Sequence, residues 1–527
     1  TEEATPFEAM LAQVGDNIIS YETERYRQQR LVAFSNWPTT DPFLYPADIT
    51  SQFMKCAQVD VEHIRTTDAF QSGYFASYHV YPYYPDYLHN ILDPMGLTDS
   101  RHQDMSEYYF TTEGGVVYEE MMTGDDQVDY YDEDGHLNTY YAYLKMLNKY
   151  HTVPVVISEY GVSTGRGMAQ RDYYTGRNQG RMTEREQGYA LIDCYEDIMN
   201  AGSAGSCIFT WQDEWFKRTW NTMHAVDLDN TPYWSDYQTN EQYFGLLAFD
   251  PGEVESVCYV DGDTSEWTEE DLVQEEEAGR LSMKYDEKFL YFYVEAEGFR
   301  PGEDSLYIPI DTTPKTGSTY CENYDLTFER PCDFVVYIHN EEDSRVVVQE
   351  RYEVMRAVFS QETEGLDPYI NPVDADTSVF TKIELVLQLF AEEQGPVDDD
   401  AVMYETYETG ALRYGDANPT GNFDSLADFH FTDSGVELRI PWQLLNFSNP
   451  SEMMIHDDYY ENYGVEYLHI DEMWVGFAAG QAPEYRISMA AFPLEGWGRN
   501  VTYHERLKES YYILQDYWAE HPNWAGN

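Results

Sequence analysis

Residues 153–164 read VPVVISEYGVST. Four β-branched residues lie within the first five positions, then Ser158 leads into Glu159, with Tyr160 and Gly161 directly behind. A run of this kind predicts a strand buried on both faces, as in parallel sheets. A carboxylate at the mouth of such a strand is costly unless hydrogen bonds or chemistry support it. The meaning of Glu159 therefore depends on what stands at the ends of neighbouring strands.

Working outward, NTYYAYLKMLNKYH (138–151) reads as a helix leading into that strand. Thr183 and Glu186 form a capping box that opens a second helix, REQGYALIDCYEDIMNAG, and SCIFTW (206–211) follows as a strand. Upstream, TPFEAMLAQVGDNIISYETERY (5–26) carries Phe7, Met10, Leu11, Val14, Ile18 and Tyr21 on one helical face, with Thr5 and Glu8 as a capping box and Pro6 at the first turn. LVAFSNW (31–37) and GYFASYHVYP (73–82) read as strands, and a weakly marked helix is expected between them in ADITSQFMKCAQVDVEHI (47–64). Strand and helix alternate four times, which implies parallel strands with crossover helices. Four such units make half of an eightfold barrel or one small open sheet, and periodicity does not choose between them.

Near residue 250 the texture changes. Short alternating segments follow: GRLSMKYD, KFLYFYVEAE, DSLYIPID, DFVVYIHN, GVELRIPW and EMWVGFAAG. Separated by Gly, Asp and Pro, they predict an antiparallel β-sandwich. RVVVQERYEVMRAVF and FTKIELVLQLF are further strand candidates, and TYHERLKESYYILQDYW reads as a terminal helix. The expected division is 1–250 and 251–527.

Composition narrows the function. With 97 acidic and 31 basic residues the formal charge is -66, a field that repels nucleic acid and anionic membranes. No segment approaches the roughly 18 uninterrupted apolar residues of a membrane span. The start, TEEATPFEAM, has neither the basic nor the apolar region of a signal peptide, and the acidic surface fits work outside the cell or on its surface. The six cysteines show no metal-ligand spacing, although Cys321 and Cys332 flank a segment short enough for a local disulfide. Asp129, Asp132 and Asp134 precede a glycine but lack the terminal glutamate of a calcium loop, so a solvated acidic turn is expected there.

In parallel α/β architecture, chemistry gathers at the carboxyl ends of strands. Those ends supply Asn36 and Trp37, then His79 and Tyr81, then Glu159 and Tyr160, then Trp211 with Asp213 and Glu214 behind it. Indole faces stack on pyranose rings, polar groups bind hydroxyls, and a carboxylate supports an oxocarbenium-like transition state, so this set suits a sugar site.

The segments SNWPTTDP, SYHVYP, PVVISEYGVST and IFTWQDEW resemble the second half of the (β/α)8 TIM barrel in retaining β-glycosidases of the family 2 and family 5 type, over residues 1–250. The resemblance implies that Glu159 is the nucleophile, that His79 and Tyr81 orient it or the sugar, and that Trp211 stacks beneath the ring. It also implies strands five to eight of the barrel, with the general acid/base on a fourth strand outside this chain. A complementing half barrel or self-association would then be needed. The opening VDGDTSEW of the second part is similar to family 9 carbohydrate-binding modules, on Asp261, Gly262, Asp263 and Trp267. That likeness implies a mainly structural turn with calcium near Asp261 and Asp263 in some members, no other cofactor, and a sugar-binding aromatic among Trp442, Trp474 and Trp497. The combined expectation is a glycoside hydrolase of β-linked carbohydrate. The alternative is a non-catalytic glycan-binding or assembly protein on the same framework.

Overall fold

The structure, a computed structural model, describes residues 3–43, 57–84, 111–112, 115–116, 138–172, 175–254, 256–388, 404–480 and 483–522. It is a mixed α/β chain with sandwich-like antiparallel sheets. The acidic turn at 126–136 lies outside the described residues.

Helix α1 (Pro6–Tyr26) starts on the predicted capping box, Thr5 Oγ1 accepting from Glu8 N and Glu8 accepting from Thr5 N. Strands β1 (Ser35–Asn36), β2 (Ala76–His79), β3 (Val155–Tyr160) and β4 (Gly205–Ile208) form a four-stranded sheet in chain order, every pair parallel. Helix α2 (Thr139–Tyr150) precedes β3, and α3 (Glu184–Asn200) opens on the Thr183–Glu186 capping box and precedes β4. Tyr78 and Ile157 share one core with Tyr143 and Leu147 of α2 and Leu191 and Ile198 of α3. Alternation turns Ser77 and Ser158 to the opposite face. There Ser35 Oγ lies 3.1 Å from Ser77 Oγ, and Ser77 Oγ lies 2.7 Å from Ser158 Oγ. Among the described residues no strand pairs with the outer edge of β1 or β4.

Of the weakly marked helix expected within 47–64, residues 47–56 lie outside the described residues, and residues 57–64 hold a short 3-10 turn (Val61–His63). One sequence expectation changes here. The apolar face of α1 points outward, with Phe7, Ile18 and Tyr21 each half-exposed or more. The helix instead docks through Gly15, where a Cβ would sit 3.2 Å from the Phe34 ring, and through Glu8, which accepts from Asp60 N at 2.7 Å and lies 2.9 Å from His63 Nδ1.

The second part is built from two facing antiparallel sheets. One pairs Leu272–Glu276, Gly279–Tyr285, Phe289–Glu295, Gly435–Pro441 and Phe429–Phe431 in that order. The other runs through Phe380–Lys382, Ser344–Gln349, Phe334–Ile338, Ser305–Asp311, Glu472–Val475 and Ala490–Pro493. Leu290, Phe292 and Val294 meet Leu306, Ile308 and Ile310 in one core, the period-2 pattern of a sandwich. RVVVQERYEVMRAVF divides after the strand Ser344–Gln349, and its second half is helix α4 (Val354–Glu364), capped by Glu353. Cys321 and Cys332 are free thiols. Their hairpin pairs Cys321 with Leu326 and Cys332 with Ser318, so the register sets neither cysteine opposite the other.

The tail crosses back to the first part. Tyr503–Leu507 pairs antiparallel with Leu247–Pro251, and the last helix, α5 (Glu509–Glu520), lies on α3. Gly188 of α3 permits that approach, since a Cβ there would be 2.9 Å from Ile513 Cδ1. Buried charges join the two parts. Arg166 pairs with both carboxylate oxygens of Asp428 and donates to Thr409 O and Ala411 O, each at 2.8 Å. Lys508 Nζ donates to Asp213 Oδ1 at 2.8 Å, and Arg506 bridges Glu184 and Asp250.

Candidate functional site

The site lies where β2 and β3 end. The ladder between them slips by one residue after Tyr78, so that His79 stands opposite Glu159 and not opposite Ser158. Such a bulge re-aims side chains at a sheet's rim. His79 Nδ1 lies 3.0 Å from Glu159 Oε2, and the Tyr81 hydroxyl donates to Glu159 Oε1. The carboxylate is thus gripped at both oxygens. Its partial burial pushes its pKa up, but the bonds from His79 and Tyr81, with the charges of His79 and Lys217, outweigh burial and hold it below the usual carboxylate range. Burial and the adjacent Glu159 raise the Tyr81 hydroxyl well above the ordinary phenol range, so it remains a donor. Glu159 is therefore an oriented, ionised carboxylate, a quarter exposed at its side chain.

The other predicted residues divide. Trp37 is partly exposed and stacks on Tyr84 with ring centroids 5.7 Å apart at 25°, and Tyr84 bridges to Tyr81, which puts an indole at the same rim. Asn36 is buried and shapes the turn, its Nδ2 donating to Val59 O at 3.1 Å and its Oδ1 accepting from Trp37 N at 3.1 Å. Tyr160 is buried in the helix-side core, facing away from Glu159 by strand alternation. Trp211 is half-exposed and meets Tyr511 of α5 edge-on at 6.1 Å. Beyond the end of β4, Phe209 N donates to Tyr160 O at 2.8 Å, and the Phe209 ring lies 5.2 Å from that of Phe244 and carries Lys217 Nζ at 4.0 Å. Phe244 in turn meets Tyr81 at 6.2 Å. Asp213 belongs to the ion pair with Lys508, and burial pushes its carboxyl up to about 6.

Sequence reasoning missed Glu241, Lys217 and Gln179. Glu241 sits in a 3-10 turn (Glu241–Tyr243). Gln179 Nε2 donates to its Oε1 at 2.6 Å. Burial raises its pKa, Lys217 and the Gln179 bond oppose that, and the charges of Glu159 and Glu214 push it further up. Lys217 Nζ lies 3.0 Å from Glu214 Oε2. No periodic signal marks this turn, which reaches the rim only through contacts distant in the chain.

A cavity of about 420 Å³ at the junction of the two parts is walled by Asp213, Asp250, Lys288, Arg506 and Lys508. It does not include Glu159, and its charged walls are largely paired with one another. In the second part Trp442 is fully buried, Trp474 lies under the Arg330 guanidinium at 4.1 Å, and Trp497 Nε1 donates to Tyr233 O at 2.8 Å. Asp261 Oδ1 accepts from Asp263 N and its Oδ2 from Asn418 Nδ2, both at 2.8 Å, while Asp263 Oδ1 accepts from Ser265 N at 3.0 Å. Those carboxylates serve the turn. Among the described residues no group of three His, Cys, Asp or Glu side chains stands together as a metal site.

No protein-family model matches the chain, and no curated protein or solved structure matches it either. Among the described residues no helix is long and apolar enough to cross a membrane.

Proposed function

We propose that this chain carries the nucleophile of a retaining glycoside hydrolase acting on β-linked poly- or oligosaccharide at the cell surface or outside the cell. The observation that supports this best is Glu159, ionised and held at both oxygens by His79 and Tyr81 at the carboxyl end of a parallel strand. A carboxylate tied in this way is poised for attack in one direction, while Trp37 with Tyr84 offers a ring face at the same rim. In the reaction Glu159 attacks the anomeric carbon and the glycosidic C–O bond breaks as its oxygen takes a proton. Water then releases the sugar from the glycosyl ester. On this reading the four-stranded sheet is strands five to eight of a (β/α)8 barrel. Its free edges and serine-lined face would be closed by a further half barrel or by a second copy.

The test uses activated 2-deoxy-2-fluoro β-glycosides, which trap a glycosyl-enzyme. Mass spectrometry is expected to find the label on the peptide holding Glu159, and Glu159→Gln is expected to lower turnover by on the order of a thousandfold or more. A label on another residue, or unchanged turnover in the variant, removes Glu159 from the role.

A second reading, glycan binding without cleavage, is favoured by one feature of the sandwich. Tyr369 and Tyr463 are 50% and 73% exposed, with rings 5.9 Å apart, and Tyr369 stacks on Tyr459 at 11°. An exposed tyrosine ledge of this sort suits the C–H face of a sugar. Retention on a β-glucan affinity gel that Tyr369→Ala abolishes, with no hydrolysis of any glycoside, would favour that reading over the first.

A further inference from the structure

We propose that Glu241 is the general acid/base that pairs with Glu159, so that both carboxyl groups of the reaction come from this chain. The assignment rests on the hydrolase reading above. It replaces the expectation that the acid lies on a strand outside the chain.

A chain of contacts links the two groups by a route that avoids the strands. Ser163, four residues beyond Glu159, bridges to Gln179, and Gln179 holds Glu241 Oε1. Three residues after Glu241, Phe244 packs its ring against both Tyr81 and Phe209. Tyr81 in turn donates to Glu159. Lys217, over the Phe209 ring, acts on both carboxyl groups, and the charge of Glu241 reaches Tyr81 and Tyr83.

The chemistry of the surroundings then separates the two roles. Glu159 has two donors and stays ionised. Glu241 has the neutral amide of Gln179, and burial with the charges of Glu159 and Glu214 pushes its carboxyl above the usual range, against the pull of Lys217. Two carboxyl groups pushed apart in this manner are the acid and nucleophile of a double displacement. As Glu159 attacks, the electrons of the breaking C–O bond go to the leaving oxygen, which takes the Glu241 proton. Glu241, now ionised, removes a proton from water as that water attacks the anomeric carbon. The Glu159 ester bond breaks, which restores both groups.

Leaving-group dependence tests the assignment on the full chain. Aryl β-glycosides whose phenol departs readily, such as 2,4-dinitrophenyl, need no proton, whereas phenyl glycosides do. Glu241→Gln is expected to lower kcat/KM for the phenyl glycoside by about 10²–10⁴-fold and for the dinitrophenyl glycoside by less than about tenfold. Its basic pH limb should also vanish. In Glu241→Ala, azide is expected to restore turnover and to yield the β-glycosyl azide. Equal losses on both substrates would make Glu241 a positioning residue, and no loss on either would make it a bystander; each overturns the proposal while the hydrolase reading stands. Wild-type silence on every glycoside overturns that reading and the role together. Independently of activity, carboxyl NMR should show the Glu241 pKa falling when Glu159 is replaced by Gln. An unmoved pKa means that the two groups are not a pair.

Discussion

The two halves of this molecule bury their sheets in different ways. In the sandwich each sheet covers the inner face of the other, so Phe292, Ile308 and Val336 are fully buried in one continuous core. In the α/β part, α2 and α3 cover one face of the parallel sheet, while Ser35, Ser77 and Ser158 line the opposite face. The difference bears on which polar groups stay accessible. A self-covering sandwich has no rim to spare, whereas a sheet with helices on one face leaves strand ends and polar groups available, and that is where Glu159, His79 and Tyr81 converge.

The contrast can be broken most forcefully at the seam. Arg166 reaches from the loop after β3 into the sandwich, and its partner Asp428 is fully buried. Replacing Arg166 by Met leaves that carboxylate without its cation, at a cost of about 3–5 kcal/mol. Scanning calorimetry should show the α/β part melting ahead of the sandwich in Arg166→Met, where the wild type unfolds more nearly as one. An unchanged transition would mean that the tail and its ion pairs hold the seam without Arg166.

The two parts also hold a glutamate each with opposite pH behaviour. Glu62 of the α/β part accepts from Thr152 N at 2.9 Å and lies 3.0 Å from His151 Nδ1; burial pushes it up, but these bonds outweigh burial and bring it down to about 2. A depressed folded pKa means that the stability is fully present above the ordinary value near 4.5 and is lost as pH falls through about 2. Glu353, the α4 cap, is deeply buried and is pushed up to about 8 by burial, against the opposing bond from Arg356 N. A raised folded pKa has the reverse sign, so stability declines as pH climbs from about 4.5 through 8. Chemical denaturation should therefore find Glu62→Gln weaker by about 1.5–3 kcal/mol at pH 7, with the deficit shrinking toward pH 2. Glu353→Gln should be stronger by about 1–3 kcal/mol at pH 9 and near neutral at pH 5. If both variants shift in the same direction at pH 9, the contrast in how the two parts hold these carboxyl groups is wrong.

Local signals in the chain account for much of this architecture. Both capping boxes, the α2 and α3 periodicity, the alternating sandwich strands, and the strand ends carrying His79, Tyr81 and Glu159 are patterns of neighbouring residues, and neighbours are what a sequence exposes. The remainder depends on contacts between distant residues. Tyr160 and Trp211 follow their strands as closely as Glu159 does. The register slips after Tyr78 and Ile157, with the chain's turn beyond Ile208, send Tyr160 into the core and Trp211 toward Tyr511. Glu241 lies in an irregular stretch with no period to read, and bonds from distant residues place its turn, among them Gln179 to Glu241 itself and Ser163 Oγ to Asn240 O. The valine-rich segment 345–359 reads as one strand because its helical half begins at a buried cap, Glu353, which composition does not reveal.

The smallest expected effect probes the part of the contrast that sequence patterning misjudged. An amphipathic helix normally turns its apolar face inward, yet α1 exposes Phe7, Met10, Val14 and Ile18 while docking through Glu8 and Gly15. If that face is uncovered in the free chain, exchanging Ile18 for Ser removes no buried contact, and stability should stay within about 0.5 kcal/mol of the wild type. A contiguous apolar strip in water favours association, so sedimentation velocity should show less self-association in a combined Phe7→Ser, Ile18→Ser chain. A loss of 2 kcal/mol or more would mean instead that the face is covered in solution. The α/β part would then be as closed as the sandwich, and the openness that distinguishes it would belong to the rim alone.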